Sequence, residues 1–351
     1  MSLVRIDGSQ GEGGGQIVRT SLSLAALTGQ EIELEHIRAG RPRPGLAAQH
    51  VTCCQAVAQI CQGKLEHAEL GSQTVRLTPG RVTGGEYEFD VAAVRPSAGS
   101  ACLVLQSVLP PLAFAPRPST VRIYGGTDVP WSPVFAYLKH TFAPALARFG
   151  IGLELSRSRG GFYPAGGGCI TAHVRPCTKA AAVDLRSRGE LLGATVISTV
   201  TDGLPRRILQ RQTSAASHAL KAAGIETQVE EHYISSHSPG TSCVISLNYG
   251  HGHGGFTTLG KRGKPAERVG QEAAQEAVQF AASDATVDQH LADQLLLYMA
   301  LAEGRSELRA ECVTEHLRTH AAVACQMTDA QVELQENGML TVTGVGVSAG
   351  V

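Results

Sequence analysis

Apolar residues recur at spacings of three and four along 16–27, 46–61, 99–114, 134–149, 287–302 and 316–327, which predicts helices there. Between them, alternation of apolar and polar positions bounded by glycines predicts strands at 31–37, 64–70, 74–78, 119–124, 152–158, 168–174, 306–310, 330–335 and 339–343. In order, these fall into three copies of one unit: helix, strand, special loop, helix, strand, strand. Residues from about 180 to 285 break the pattern. Strands at 191–200, 226–232 and 243–248 and helices at 212–223 and 268–282 read as a β-α-β-β-α insert. The expected fold class is α/β (α+β): helices covering sheets, with a large domain from 1–180 and 286–351 and a smaller domain from 181–285.

The polar outliers collect in one loop of each copy. The first is Arg38-Ala39-Gly40-Arg41-Pro42-Arg43-Pro44-Gly45, three arginines held by two prolines and two glycines directly after a strand. Proline fixes φ and glycine opens turns closed to other residues, so this is a shaped loop. Arginine forks suit bidentate binding of phosphate oxygens; the alternative is a structural loop paired with carboxylates. Copy two has Gly125-Gly126-Thr127-Asp128 at the same point, and copy three has Glu315-His316. One topological position in three related units suggests one shared cleft.

A second glycine-rich loop, Asp7-Gly8-Ser9-Gln10-Gly11-Glu12-Gly13-Gly14-Gly15-Gln16, runs into an apolar helix. Free backbone N–H groups at such a helix start attract anions. Glu12 would repel a phosphate there unless a cation lies between them, which suggests a hard-cation site; a helix-capping acid on a turn is the alternative. Neither the P-loop nor the dinucleotide fingerprint is present, because the spacing and the lysine are wrong.

The formal net charge of −1 over 351 residues gives no global attraction to nucleic acid, so any polyanion must be held by local clusters. No apolar run reaches the length of a membrane span and no secretion-type leader is evident, so a cytoplasmic location with no membrane contact is expected. Nine cysteines without paired spacing read as small buried residues. His251-Gly252-His253-Gly254-Gly255 looks like a metal tract but reads as a flexible turn, because no third ligand lies nearby in sequence. In the insert, Arg206, Arg207, Arg211 and Lys261-Arg262 with Lys264 read as solvated charge rather than RNA contacts.

With these segments assembled, the chain resembles the RNA 3′-terminal phosphate cyclases of the bacterial type over nearly its full length. The segments that carry the resemblance are 7–16, Arg38-Ala39-Gly40-Arg41, Gly125-Gly126-Thr127-Asp128, Gly161-Phe162-Tyr163-Pro164-Ala165-Gly166-Gly167-Gly168 and Leu291-Ala292-Asp293-Gln294. The resemblance implies three repeats plus an inserted domain. It also implies ATP-dependent conversion of an RNA 3′-phosphate end to a 2′,3′-cyclic phosphate through a histidine–AMP intermediate, with release of AMP and pyrophosphate. ATP is then a co-substrate, a divalent cation (Mg²⁺ or Mn²⁺) a cofactor, and RNA 3′-phosphate ends the partner.

By the same resemblance the nucleophile falls on His316 and the metal-binding carboxylate on Glu12. The ATP pocket falls on Gln106, Pro130, His290, Leu291, Ala292, Asp293 and Gln294, and the phosphate- or RNA-handling arginines on Arg19, Arg38, Arg41 and Arg43. Two positions depart from the family pattern: His290 stands where an aromatic tyrosine is common, and His320 where asparagine is usual, which makes His320 a rival nucleophile. The competing reading is a non-catalytic cyclase-like protein that binds RNA or ribosome-assembly partners. The presence of His316, Glu12, the arginines and Asp293 together favours an enzyme.

Overall fold

The computed structural model describes residues 3–348. The first unit contains β1 (Val4–Asp7), α1 (Gly15–Thr28), β2 (Ile32–Glu35), α2 (Ala48–Ile60), β3 (Lys64–Glu66) and β4 (Val75–Thr78). The second contains β5 (Glu86–Asp90), α3 (Ala101–Ala113), β6 (Ser119–Gly125), α4 (Phe135–Tyr137), α5 (Ala143–Ala147), β7 (Gly152–Arg159) and β8 (Gly168–Arg175). The third opens with β9 (Asp184–Leu185). The insert follows as β10 (Leu191–Thr201), α6 (Ile208–Ala222), β11 (Thr227–Ile234), β12 (Thr241–Tyr249), β13 (His253–Leu259) and α7 (Ala266–Ala281). The third unit then resumes with α8 (Gln289–Leu301), β14 (Glu303–Arg309), α9 (Glu315–Met327), β15 (Gln331–Leu334) and β16 (Met339–Val345).

The sheets show why the copies are one unit. Their orders are β1-β2-β4-β3, β5-β6-β8-β7 and β9-β14-β16-β15. In each, the first strand lies parallel to the second across a helical crossover, and the closing hairpin adds antiparallel to the second strand. The repeat is therefore βαβαββ, one strand longer than the pattern predicts. The extra strands were hidden for local reasons: Glu86–Asp90 is largely acidic, and Asp184–Leu185 has two residues. Because β9 pairs with β14, the chain leaves the third unit after Leu185, and the insert interrupts its first crossover.

The insert forms a fourth sheet, β11-β10-β12-β13. Its apolar side chains, including Val196, Leu220, Ile245 and Phe280, gather in a cluster of their own. The histidine–glycine stretch expected to be a flexible turn instead enters β13. Glycine is required there by close approach: a Cβ at Gly255 would sit 2.5 Å from the Tyr137 ring, and one at Gly254 would sit 2.9 Å from the Phe280 ring. The helix expected over 134–149 is likewise broken, by a π-turn at Leu138–Phe142 whose His140 carbonyl accepts a hydrogen bond from Ser246 of the insert. Six of the nine cysteines are buried, Cys177 is half-buried, and Cys312 and Cys325 are exposed; all are free thiols.

A buried ion pair within the second unit is hydrogen-bonded to the insert. Arg157 donates to the Asp128 carboxylate at 2.6 Å, and Ser242 of β12 donates to its other oxygen at 2.8 Å. Removing one partner leaves the other charge buried and unpaired, which costs about 3–5 kcal/mol. Asp128→Ala should therefore lower unfolding stability by about that amount in a urea titration. A loss below about 1 kcal/mol would show that water or a neighbour compensates.

Candidate active site

The loop from β1 to α1 brings backbone amides and an acid to one place. Gly11 and Gly13 have φ of 55° and 59°, a left-handed conformation that other residues adopt at a cost. Helix α1 starts after Gly14 with no side-chain cap, so its first amides remain available. The Glu12 N–H donates to Thr319 Oγ1 at 3.1 Å, which ties this loop to α9. α9 is itself started by Thr314, whose hydroxyl accepts from the Leu317 N–H at 3.0 Å.

The arginine loop is shaped from within. Arg38 has φ 54°, and its guanidinium donates back to the Gly45 carbonyl at 2.6 Å. Arg41 donates to the Glu12 carbonyl oxygen at 3.2 Å and to the Glu12 carboxylate. Glu12 is thus paired with Arg41 rather than left as a free carboxylate. Arg43 is exposed. Arg19, on α1, is deeply placed and makes no ion pair with any described residue; burial depresses its pKa, with Cys53 and Asp293 opposing. An unpaired guanidinium at this depth is a strong anion attractor.

His50, at the start of α2, completes this corner and was not singled out by sequence. Its Nδ1 accepts from the Ala47 N–H at 3.0 Å, so its proton sits on Nε2. Nε2 abuts the start of α1: a Cβ at Gly15 would lie 2.2 Å from it. Burial, with Arg19 and Arg38 nearby, pushes the His50 pKa down to about 3.

A hydrogen-bond chain runs from α8 through α1 to α9. The Gln16 amide Nε2–H donates to Asp293 Oδ1, and its carbonyl Oε1 faces His316 Nδ1 at 2.7 Å. Burial works to raise the Asp293 pKa, but hydrogen bonds from His320 and Gln16 and the neighbouring histidines bring it below the ordinary value. An ionised carboxylate only accepts, so the amide must present N–H to Asp293 and C=O to His316. His316 Nδ1 must then carry the proton, which leaves Nε2 as the free lone pair. Burial, reinforced by Arg19, His290 and Arg41, lowers the His316 pKa despite the opposing Asp293 charge, so the ring is neutral at pH 7. His316 is nonetheless half-exposed, with Glu12 Oε2 3.6 Å from Nδ1. His320 is different: its Nδ1 is bound by Asp293 at 3.0 Å, and its Nε2 is buried without a protein partner.

Gln106 of α3, Asp293 and Gln294 of α8, Arg19 and Gln16 of α1, and His320 of α9 line one cleft between the four helices. The other residues expected at the nucleotide do not line this cleft, although His290 is near enough to His316 to lower its pKa. Leu291 and Ala292 point into the core, His290 is exposed at the start of α8, and Pro130 is exposed in the loop after β6. The packing of Leu291 and Ala292 seats the turn of α8 that carries Asp293. Gln16, His50 and Thr319 were not singled out because their partners, 277–307 residues away or a glycine backbone, leave no local signal.

The family model described as RNA 3′-terminal phosphate cyclase matches residues 10–334. The chain belongs to the RNA 3′-terminal phosphate cyclase family. Relatives carrying that name include one from Methylococcus capsulatus, 45% identical over 339 residues, which cover 95% of this chain and 94% of that one. One from Gloeothece citriformis is 41% identical over 335 residues, covering 95% of each chain. One from Methanopyrus kandleri is 40% identical over 342 residues, covering 95% of this chain and 96% of that one. The cyclase-family identity extends over the helices that line the cleft, so the site lies within the shared region.

His50 gives this corner a pH signature. Its folded pKa near 3 lies below the unfolded value of 6.5, so the unfolded chain binds the extra proton. The neutral imidazole's contribution is intact above 6.5 and declines as pH falls toward 3, at up to about 1.4 kcal/mol per unit. Urea titrations across the range between these two values should show a shallower stability loss in His50→Gln than in the parent. Parallel pH slopes would mean that His50 is protonated in the folded protein.

Proposed function

We propose that this enzyme converts an RNA 3′-terminal phosphate to a 2′,3′-cyclic phosphate at the expense of ATP. The observation that carries this reading is a neutral His316 with Nε2 free, beside the unpaired Arg19 and the Arg38–Arg41 loop. Family membership supplies the reaction class; the geometry suggests how these residues perform it.

In the first step, His316 Nε2 attacks the α-phosphorus of ATP, a P–N bond forms, and the bond to the bridging oxygen breaks as pyrophosphate leaves. The Nδ1 proton, held on Gln16, remains in place, so the positive charge that develops on the ring is met by Asp293 through the amide. The RNA 3′-phosphate then attacks the same phosphorus, releasing His316 and forming an RNA–adenylate. In the last step the adjacent 2′-hydroxyl attacks the 3′-phosphorus and AMP departs. Each centre already carries negative charge, so positioning and charge neutralisation dominate.

Arg19 and Arg38 are assigned to the phosphates, with Arg41 joining them when it releases Glu12. Among the described residues no three His, Cys, Asp or Glu side chains cluster as a metal cage. A lone carboxylate nevertheless suits a hard cation that takes most of its ligands from phosphates and water. Glu12 would hold that cation, which when bound supplies Lewis-acid neutralisation at the phosphates. Gln106, Asp293 and Gln294 are assigned to the nucleotide side of the cleft.

Incubation with ATP labelled in the α-phosphate tests the reading. The parent should form an acid-labile protein–AMP adduct, and His316→Ala should form none while melting like the parent. His320→Ala should retain a measurable adduct, because the His320 Nε2 is buried whereas the His316 ring is half-exposed. As pH falls, the adduct rate should decline only below the range in which an ordinary imidazole protonates, since burial holds the His316 pKa under the ordinary imidazole value. Adduct formation by His316→Ala, or its loss only in His320→Ala, would overturn the assignment. A parent that binds RNA but never reacts would favour the non-catalytic alternative.

A further inference from the structure

The chain's single tryptophan, Trp131, is 99% exposed. It also has φ 60°, a conformation that bulky residues adopt only under constraint. The loop that carries it is firmly anchored. Thr127 and Asp128 donate their backbone N–H groups to the Gly161 carbonyl at 2.8 and 3.0 Å, and the Asp128 side chain is wholly buried against Arg157. A rigid base that holds a large aromatic ring in water, at backbone cost, is a presentation and not a packing accident.

A second exposed aromatic rides on the partner loop. Asp128 bridges Phe162, and the next residue, Tyr163, is 71% exposed. This loop leads to an open cleft on the outer face of the β5–β8 sheet, lined among others by Arg122, Tyr124 and Arg159. Arg159 spends one N–H on the Gly167 carbonyl, which leaves the rest of its fork free, and Arg122 lies beside the Tyr124 side chain and an exposed Glu88 at 3.4 Å. Aromatic faces interleaved with guanidinium groups match the bases and phosphates of a single strand.

The loop that carries Trp131 is linked by hydrogen bonds to the His50 corner of the candidate active site. Gln49, beside His50, accepts from the Ser100 N–H at 2.9 Å, and the Gly126 N–H donates to the Gly99 carbonyl at 2.7 Å. Gly126 opens the loop that carries Trp131.

We infer that Trp131 and Tyr163 form a stacking platform for the single-stranded body of the RNA substrate, with Arg159 and Arg122 along its phosphates. The inference rests on the RNA reading above, and it assigns binding of the strand rather than chemistry at its end. Because Trp131 is the only tryptophan, intrinsic fluorescence reports on it directly in the unmodified protein.

The test titrates the full chain, without ATP, with 3′-phosphorylated single-stranded RNA of two and of about eight nucleotides. The longer strand should quench the tryptophan emission and the dinucleotide should not. Trp131→Leu and Tyr163→Leu, with binding followed by anisotropy of labelled RNA, should each weaken the longer strand roughly 5- to 150-fold, as expected for losing one stacked base. Both should leave the dinucleotide affinity and the protein–AMP adduct unchanged. Absence of quenching by the longer strand, equal quenching by a duplex of the same length, or quenching by ATP alone would each overturn the platform. Failure of the cyclase reading is separable: it would appear as a missing adduct in the parent, whatever the fluorescence does.

Discussion

The Asp293 carboxylate organises the centre of this molecule. It stands on α8, accepts from Gln16 on α1 and from His320 on α9, and so joins three helices from the first and third units. Its placement depends on the apolar neighbours Leu291, Ala292, Leu295 and Leu296, which seat α8 in the core. Because a buried carboxylate must be satisfied or neutralised, its partners have little freedom. The orientation of the Gln16 amide follows, and from it the tautomer of His316. One charge in the core thereby determines which nitrogen is available at the surface.

The repeat architecture explains how these groups come together. Each βαβαββ unit offers the same two loops, one before its first helix and one before its second. The first unit uses both, for Glu12 and for the arginines, while the third uses its second helix for His316. The third unit's first crossover accommodates the insert, whose attachment is fastened by Asp288. That side chain caps α8, accepts from Tyr137 at 3.1 Å and accepts from the Gly255 N–H at 2.9 Å. The insert is thus hydrogen-bonded to the start of the helix that carries Asp293.

Much of this was legible in the sequence. Second strands, second helices and closing hairpins of all three units follow from periodicity, because each buries one regular face. The first strands escaped: β5 carries acids at alternate positions on its exposed face, and β9 is too short to have a period. The arginine loop read correctly as shaped, but the sequence suggested three phosphate ligands. The structure adds what the sequence did not show, the contact each one makes: Arg38 folds onto Gly45, Arg41 pairs with Glu12, and Arg43 is exposed. The Gln16 link joins residues 277 and 300 positions apart, and no local pattern can announce such a pairing.

The tautomer of His316 is the most direct measure of this arrangement. Nitrogen-15 spectra of histidine-labelled protein at pH 7, with the His316 signal identified by difference against His316→Ala, report which ring nitrogen carries the proton. A neutral ring protonated on Nδ1 is expected, and Gln16→Leu should abolish that preference without unfolding the protein. A parent ring protonated on Nε2, or a tautomer indifferent to Gln16, would contradict the role given to the Asp293–Gln16–His316 chain.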